Sequence, residues 1–281
     1  MENMVKFKSV GFGKRVKSML RVDTKRMLHS KLFYILIVSA ILIPIIMTVM
    51  LTMMDGSVSV NLQTGEETVM QGPESVWESI GTFPVVDMAS EDTPDNSAGA
   101  MGGMDVMAMC NINMMFMLVA AFICLFISDD FRSGYSKNLF TVRARKGDYV
   151  FSKTLVGFIC GSLMLIGYFV GAMLGGAICS LSFELGSLSV MNIVMCMLAK
   201  IFLMLVFISI FVLVSVAAKK RAWLSLCGSL GAGMLLFMMV SMITPLNSTI
   251  INVVLCIAGG AMFAFGLGAF SKLVLKKTSL V

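Results

Sequence analysis

Three polar side chains within or beside long apolar runs are the strongest candidates for chemistry in this sequence: Asn111, Asn113 and Lys200. Polar groups inside a membrane typically mark substrate or ion pathways, so we regard all three as candidates for a substrate path. Amides in such runs also bond across to neighbouring helices, which is the plainer interpretation for the two asparagines. The apolar stretch 191–218 is longer than one span needs. A span that begins near Met191 buries Lys200 and makes it a strong site candidate, whereas a span that begins near Ala199 lets Lys200 reach the outer surface. We expect the second alternative.

Sulfur ligands form a second candidate site. Met101, Met104 and Met107 are spaced by three residues just before an apolar run, and thioethers suit Cu(I). Methionine is abundant throughout the chain, with 28 in 281 residues, so the run is weak evidence and we expect no resident metal. The seven cysteines form no CxxC pattern, and we expect no structural disulfide.

Long apolar segments must position these residues. Hydrophobic residues make up 58% of the chain and charged residues 14%, and the mean hydropathy is +0.91, which excludes a soluble globular enzyme. Six stretches are long enough to cross a membrane as helices. They are Leu32–Met54, about Met107–Ile127, about Thr154–Leu181, a stretch ending at Ala218, Ala222–Ile243 and Ile250 to about Phe270.

The placement of charge predicts the orientation of these spans. Segments 1–31, 128–153, 219–221 and 271–281 hold 21 of the 22 Lys and Arg residues. Basic segments stay in the cytosol, so we predict that both termini are cytoplasmic. Loop 55–106 carries ten acids and no base, as expected of an extracellular loop, and Val58–Val60 and Val69–Ile80 within it could form short strands or a small cap. The fold class is therefore an all-α integral membrane protein with six transmembrane helices, and the basic excess indicates topology, not nucleic acid.

The amino-terminal segment 1–31 is predicted to be a basic amphipathic helix. Phe12, Val16, Met19 and Met27 share one face, and basic residues fill much of the rest. Such a helix lies along the inner leaflet and binds membrane lipids, or serves only to orient the chain.

Glycines in the third span recur every four residues in two groups, which lets another helix backbone approach closely. We expect helix packing within the subunit or between subunits. These glycines are Gly157, Gly161, Gly167, Gly171 and Gly175.

The loop 128–153 contains a short apolar stripe among charges, which is typical of an amphipathic helix that docks into another protein. Several residues of this loop, and the segment that leads into the first span, resemble the permeases of ABC-2 type transporters from Gram-positive bacteria. They are Asp130, Gly134, the pair Lys137-Asn138, Arg145, the pair Ser152-Lys153 and the segment Arg21–Tyr34. Many members have a Pro-x-x-Arg turn in this loop, whereas this chain has Val142-Arg-Ala-Arg145.

The resemblance implies that 32–281 is a six-helix permease domain whose loop 128–153 contacts a partner ATPase. The ATPase-coupling residues that it implies are Gly134, Tyr135, Lys137, Asn138, Leu139, Phe140 and Arg145. It further implies a second permease subunit, a bacterial plasma-membrane location and the export of a hydrophobic or amphipathic substrate, such as an antimicrobial peptide or lantibiotic.

The energy source is expected to lie outside the chain. No GxxxxGK[ST] motif occurs, and the six spans contain no Asp or Glu of the kind that proton- or sodium-coupled carriers use. The chain is therefore not expected to be an enzyme or to hold a cofactor, and ATP and Mg would bind the partner subunit. The alternatives are a non-transport sensor or assembly subunit, a copper-related ABC permease, and a secondary carrier built on Lys200.

Overall fold

The computed structural model describes residues 11–53, 55–56, 58–60, 67–69, 75–80, 111–142, 146–185 and 188–277. These residues are almost entirely helical. The helices are α1 (Phe12–His29), α2 (Lys31–Met53), α3 (Val76–Ile80), α4 (Met115–Arg132), α5 (Tyr135–Val142), α6 (Lys146–Ile178), α7 (Val190–Ala218), α8 (Ala222–Ile243) and α9 (Ile250–Lys277). A 3₁₀ turn, Ile112–Met114, leads directly into α4.

Five helices in the described part of the chain are long and apolar enough to cross a membrane. They are Lys31–Met53, Ile112–Arg132, Lys146–Ile178, Val190–Ala218 and Ile250–Lys276, and the stretch Ala222–Phe237 of α8 is apolar but shorter. The chain therefore has the transmembrane helical character of a multi-pass membrane protein. The count of six spans and the cytoplasmic position of the termini stay predictions.

The helix α6 lies at the centre of the fold and packs against α1, α2, α4, α7 and α9. Small residues allow these close crossings. A methyl group added at Gly171 would meet the carbonyl oxygen of Ile41 and the ring of Pro44 in α2, and one at Gly157 would meet Ile123 of α4 and Ile208 of α7. The other glycines of the series lie against the same helices: Gly161 against Val119 and Met204, Gly167 against Ile41, and Gly175 against Ile45 and Thr48.

The helices at the α1 end of the bundle are longer than the apolar runs that predict them. The helix α4 continues past Ile127 to Arg132 and therefore includes Asp129 and Asp130. The helix α6 begins at Lys146, well before Thr154. Charged residues that were expected in a loop are thus fixed on the ends of rigid helices.

Two short strands and one short helix follow α2. Strand β1 (Val58–Val60) pairs antiparallel with strand β2 (Glu67–Val69). Of the two alternatives for this loop, short strands or a small cap, Val58–Val60 forms a strand and the end of the stretch Val69–Ile80 forms the short helix α3. Val76 of α3 donates a backbone hydrogen bond to Ser182 (3.2 Å) and its side chain lies against Gly176, so α3 caps the end of α6 that is remote from α1.

Candidate functional site

A buried salt-bridge network joins three helices at the α1 end of the bundle. The Lys153 ammonium donates to Asp23 Oδ1 at 2.9 Å and lies 2.7 Å from Asp130 Oδ2. All three side chains are 0% exposed. Because Asp23 belongs to α1, Asp130 to α4 and Lys153 to α6, one ammonium group fixes the relative positions of these three helices.

A second cation completes the charge balance. Arg26, one turn after Asp23 on α1, donates through Nη1 to Asp130 Oδ1 at 2.6 Å. Asp23, Arg26, Asp130 and Lys153, which we call the four-charge cluster, carry two positive and two negative charges. A buried ion is strongly destabilising without a partner. The balance of charges explains how the carboxylates persist at this depth.

Neutral donors satisfy the remaining carboxylate oxygen positions. The Ser152 hydroxyl donates to Asp23 Oδ2 at 2.6 Å, and the Tyr149 hydroxyl donates to Asp130 Oδ2 at 3.0 Å. Every carboxylate oxygen of the four-charge cluster therefore has at least one donor. Fully satisfied polar networks of this kind are rigid and have a defined geometry.

Aromatic rings connect this salt-bridge network to the short helix α5. The Arg26 guanidinium lies 4.1 Å from the ring centroid of Tyr135, the first residue of α5, and the Lys153 ammonium lies 4.1 Å from that of Phe126. At the other end of α5, Phe140 packs edge-on against Tyr149 with ring centroids 5.3 Å apart. The Arg26–Tyr135 contact attaches the start of α5 directly to the four-charge cluster, and the Phe140–Tyr149 contact attaches α5 to it through the tyrosine that donates to Asp130.

The electrostatic surroundings favour the charged form of Arg26 and the neutral form of Tyr135. Burial alone would lower the pKa of Arg26, but the charge of Asp130 and the hydrogen bond to it outweigh that effect and raise it overall. Burial, followed by the charge of Asp23, raises the pKa of the Tyr135 phenol. The Arg26–Tyr135 contact is therefore a cation over a neutral ring throughout the physiological pH range.

The residues predicted to couple to an ATPase divide into an inward and an outward set. Gly134 makes the turn into α5 with a φ of 76°, a conformation that only glycine adopts without strain. Tyr135, Leu139 and Phe140 are partly buried, and both Leu139 and Phe140 pack against the core. Lys137 and Asn138 are exposed. Arg145 lies outside the described residues.

Two further contacts tie the start of α6 to its neighbours. Arg15 of α1 donates to Asp148 Oδ2 at 2.9 Å. Lys146 donates to the carbonyl oxygen of Leu275 in α9 at 2.7 Å and lies 5.8 Å from the ring centroid of Phe140. The beginning of α6 is thereby attached to α1, α5 and α9.

The expectation for Lys200 is wrong. The helix α7 begins at Val190, where the Ser189 side chain accepts a hydrogen bond from the Met191 amide, so Lys200 lies several turns inside the helix. Its side chain is 0% exposed. Its ammonium group donates to Asn113 Oδ1 at 2.8 Å and to Thr244 Oγ1 at 3.0 Å, and it does not reach an outer surface.

The two candidate asparagines have different roles. Asn113 is buried and bonds to Lys200, so two residues of the predicted substrate path are in contact. The Asn111 side chain accepts a hydrogen bond from the Asn113 amide at 3.1 Å and thereby caps the 3₁₀ turn before α4. Asn111 therefore positions the residue that touches Lys200.

The proposed copper ligands Met101, Met104 and Met107 lie outside the described residues. Within the described part of the chain, no group of three or more His, Cys, Asp or Glu side chains is arranged to hold a metal ion. The cysteines there, from Cys124 to Cys256, are free thiols.

Sequence reasoning missed the four-charge cluster as a unit. Asp130, Ser152 and Lys153 appear only as motif matches, and Asp23 and Arg26 only as part of a lead-in segment. One signal was available: Asp23 and Arg26 lie on the same side of α1 as the apolar residues Met19 and Met27, and ionic residues on an apolar face need buried partners. None of the protein-family models, curated proteins or solved structures compared with the chain matches it.

Proposed function

We propose that this chain is the transmembrane permease subunit of an ATP-driven ABC exporter in a bacterial plasma membrane, with both termini in the cytoplasm. It pairs with a second permease subunit and with a separate ATP-binding subunit that holds ATP and Mg. Its substrate is a hydrophobic or amphipathic molecule such as an antimicrobial peptide. The resemblance of Asp130, Gly134, Lys137-Asn138 and Ser152-Lys153 to the ABC-2 permeases is the source of this assignment.

The attachment of α5 to the four-charge cluster is the observation that carries the proposal. An ATPase that pushes or pulls on an exposed helix moves a transporter only if that helix is rigidly connected to the membrane spans. Here Tyr135 and Phe140 contact Arg26 and Tyr149, and the cluster beyond them joins α1, α4 and α6. Lys137 and Asn138 remain exposed for a partner. This division suits a helix that transmits force.

The sequence also supports ATP hydrolysis in a separate subunit. The chain has no GxxxxGK[ST] motif with which to bind and hydrolyse ATP by the P-loop route. An ATPase in another subunit therefore needs a helix of this chain to which it can bind, and α5 is that helix.

Co-purification tests the proposal. The tagged full-length chain is extracted from membranes of its native host in mild detergent, and the bound proteins are identified by mass spectrometry. We expect a protein with a GxxxxGK[ST] motif to be retained. Lys137→Glu, which reverses an exposed charge on α5, is expected to reduce its retention, whereas Lys276→Glu, an exposed basic residue on α9, serves as the matched control. A chain that retains no nucleotide-binding protein would instead fit a sensor or assembly subunit.

The burial of Lys200 favours a secondary carrier as a second candidate function. An ionisable residue inside a transmembrane helix is costly and commonly serves ion or substrate movement. Lys200 is fully buried beside Asn113 and Thr244, and both of these hydrogen-bond partners are neutral. Transport assays with inverted vesicles separate the two candidates. The ABC exporter requires ATP and tolerates collapse of the proton gradient, whereas the carrier survives ATP depletion and stops when the gradient collapses.

A further inference from the structure

A pocket of about 270 Å³ opens at the α1 end of the bundle, beside the four-charge cluster. It is bordered by the start of α2, the last two turns of α4 and the start of α8. The lining residues are Ser30, Leu32, Leu125, Phe126, Ser128, Asp129, Arg132 and Ala222.

The lining of the pocket is apolar at one end and charged at the other. Leu125 and Phe126 come from the apolar part of α4, whereas Asp129 and Arg132 come from its charged last turn. Leu125 is an exposed large apolar residue. An amphipathic ligand whose polar group lies at the helix ends and whose apolar part runs along the spans matches this order.

The two charges of the pocket are available to a ligand. Arg132 is exposed and forms no ion pair with any residue that the structure describes. Asp129 is 70% exposed, and its contact with Arg26 is long, at 3.8 Å. A phosphate binds a guanidinium through paired N–H donors, and a carboxylate accepts hydrogen bonds from a primary ammonium group. One cation and one anion in the same pocket are therefore complementary to a zwitterion.

We propose that this pocket binds a phospholipid whose headgroup carries both a phosphate and a primary ammonium group. The phosphate binds Arg132, the ammonium group binds Asp129, and an acyl chain runs along Leu32 and Leu125. A quaternary ammonium headgroup has no N–H to donate to Asp129, and a headgroup without an amine leaves that carboxylate without a ligand partner.

The occupant would also touch the elements that hold α5. The Phe126 ring forms part of the pocket wall and lies 4.1 Å from the Lys153 ammonium and 5.5 Å from the Arg26 guanidinium. A lipid that orders Phe126 and Asp129 therefore also orders the four-charge cluster. The binding site itself does not depend on the proposed transport function.

Native mass spectrometry of the full-length chain in detergent tests the proposal. The protein is titrated with phosphatidylethanolamine, phosphatidylglycerol and phosphatidylcholine of identical acyl chains. We expect phosphatidylethanolamine to be retained about fivefold more tightly than either of the others, as expected for one additional charge contact. Asp129→Asn is expected to abolish this preference. Arg132→Gln is expected to weaken retention of all three lipids about fivefold, with recovery in Arg132→Lys, whereas the control Lys276→Gln leaves the wild-type pattern.

Two results would overturn the lipid assignment. The first is a loss of specificity, seen either as equal retention of the three lipids by the wild-type chain or as variants at Asp129 and Arg132 that behave like Lys276→Gln. The second is binding of soluble glycerophosphoethanolamine as tight as that of the intact lipid, which would mark a site for a soluble phosphoester. Both substituted side chains are exposed, so the variants are expected to fold, and an unchanged size-exclusion profile checks this.

Discussion

Replacing Lys153 by methionine removes the cation that the two buried carboxylates share. The side chain of methionine has a similar length, so the main change is electrostatic. Asp23 keeps the Ser152 hydroxyl and a distant Arg26 at 3.9 Å, and Asp130 keeps Arg26 and Tyr149. The four-charge cluster is then left with a net charge of one negative unit at a depth where its carboxylates are 0% exposed.

Removing one partner of a buried ion pair typically costs about 3–5 kcal/mol of unfolding free energy. We expect the lower part of this range, about 3 kcal/mol, because Arg26 still neutralises Asp130. That is a large fraction of a total stability of about 5–15 kcal/mol. Adding Asp23→Asn removes the uncompensated anion, and we expect the double variant to recover at least about 1 kcal/mol relative to the sum of the single changes.

The assay is equilibrium unfolding in mixed micelles with increasing denaturing detergent, followed by tryptophan fluorescence and circular dichroism. Lys137→Met on the exposed face of α5 is the matched control, with an expected change within about 0.5 kcal/mol. The reasoning is refuted if Lys153→Met changes the unfolding free energy no more than Lys137→Met does. It is equally refuted if the effects of Asp23→Asn and Lys153→Met simply add.

Three further predictions concern the helix crossing, the turn into α5 and the buried lysine. Gly171→Ala drives a methyl group into the backbone of α2 and is expected to cost about 1–3 kcal/mol in the same assay, whereas Gly266→Ala, which meets no atom within 4 Å, should be neutral or slightly stabilising. Gly134→Ala places a side chain at a φ of 76° and should cost about 1 kcal/mol and reduce retention of the ATP-binding partner. Lys200→Met replaces a buried ion by an apolar side chain, so stability should change by less than about 1.5 kcal/mol while transport falls roughly tenfold; unchanged transport would remove Lys200 from the substrate path.

Apolar run length and charge placement predict most of the helices, because both reflect local composition. Leu32–Met54 and Ala222–Ile243 match α2 and α8 within a residue. The helix ends are less predictable at the α1 end. Asp129 and Asp130 look like loop residues in a hydropathy profile, yet buried partners on other helices extend α4 through them.

Long-range pairing explains why the four-charge cluster could not be derived from spacing. Asp23 and Lys153 are separated by 130 residues, and no local pattern shows which acid meets which base. The sequence indicates only that Asp23 needs a buried partner, because it lies between Met19 and Met27 on the buried face of α1.

The error at Lys200 has a different cause. The expected start near Ala199 assumes a helix only as long as one membrane crossing requires. The helix in fact begins earlier, where the Ser189 side chain accepts a hydrogen bond from the Met191 amide. The Lys200 partners Asn113 and Thr244 lie on other elements, and their oxygen atoms accept the hydrogen bonds that a buried amino group needs among apolar helices.

The central claim, that α5 docks a separate ATPase, is tested most directly by site-specific crosslinking. A photoreactive amino acid replaces Lys137 on the exposed face of α5, and the full-length chain is irradiated in membranes of its native host. The same substitution at Lys276 is the control. The account predicts a crosslink from position 137, and not from position 276, to a protein that contains a GxxxxGK[ST] motif. Crosslinks from position 137 that include no nucleotide-binding protein would contradict it.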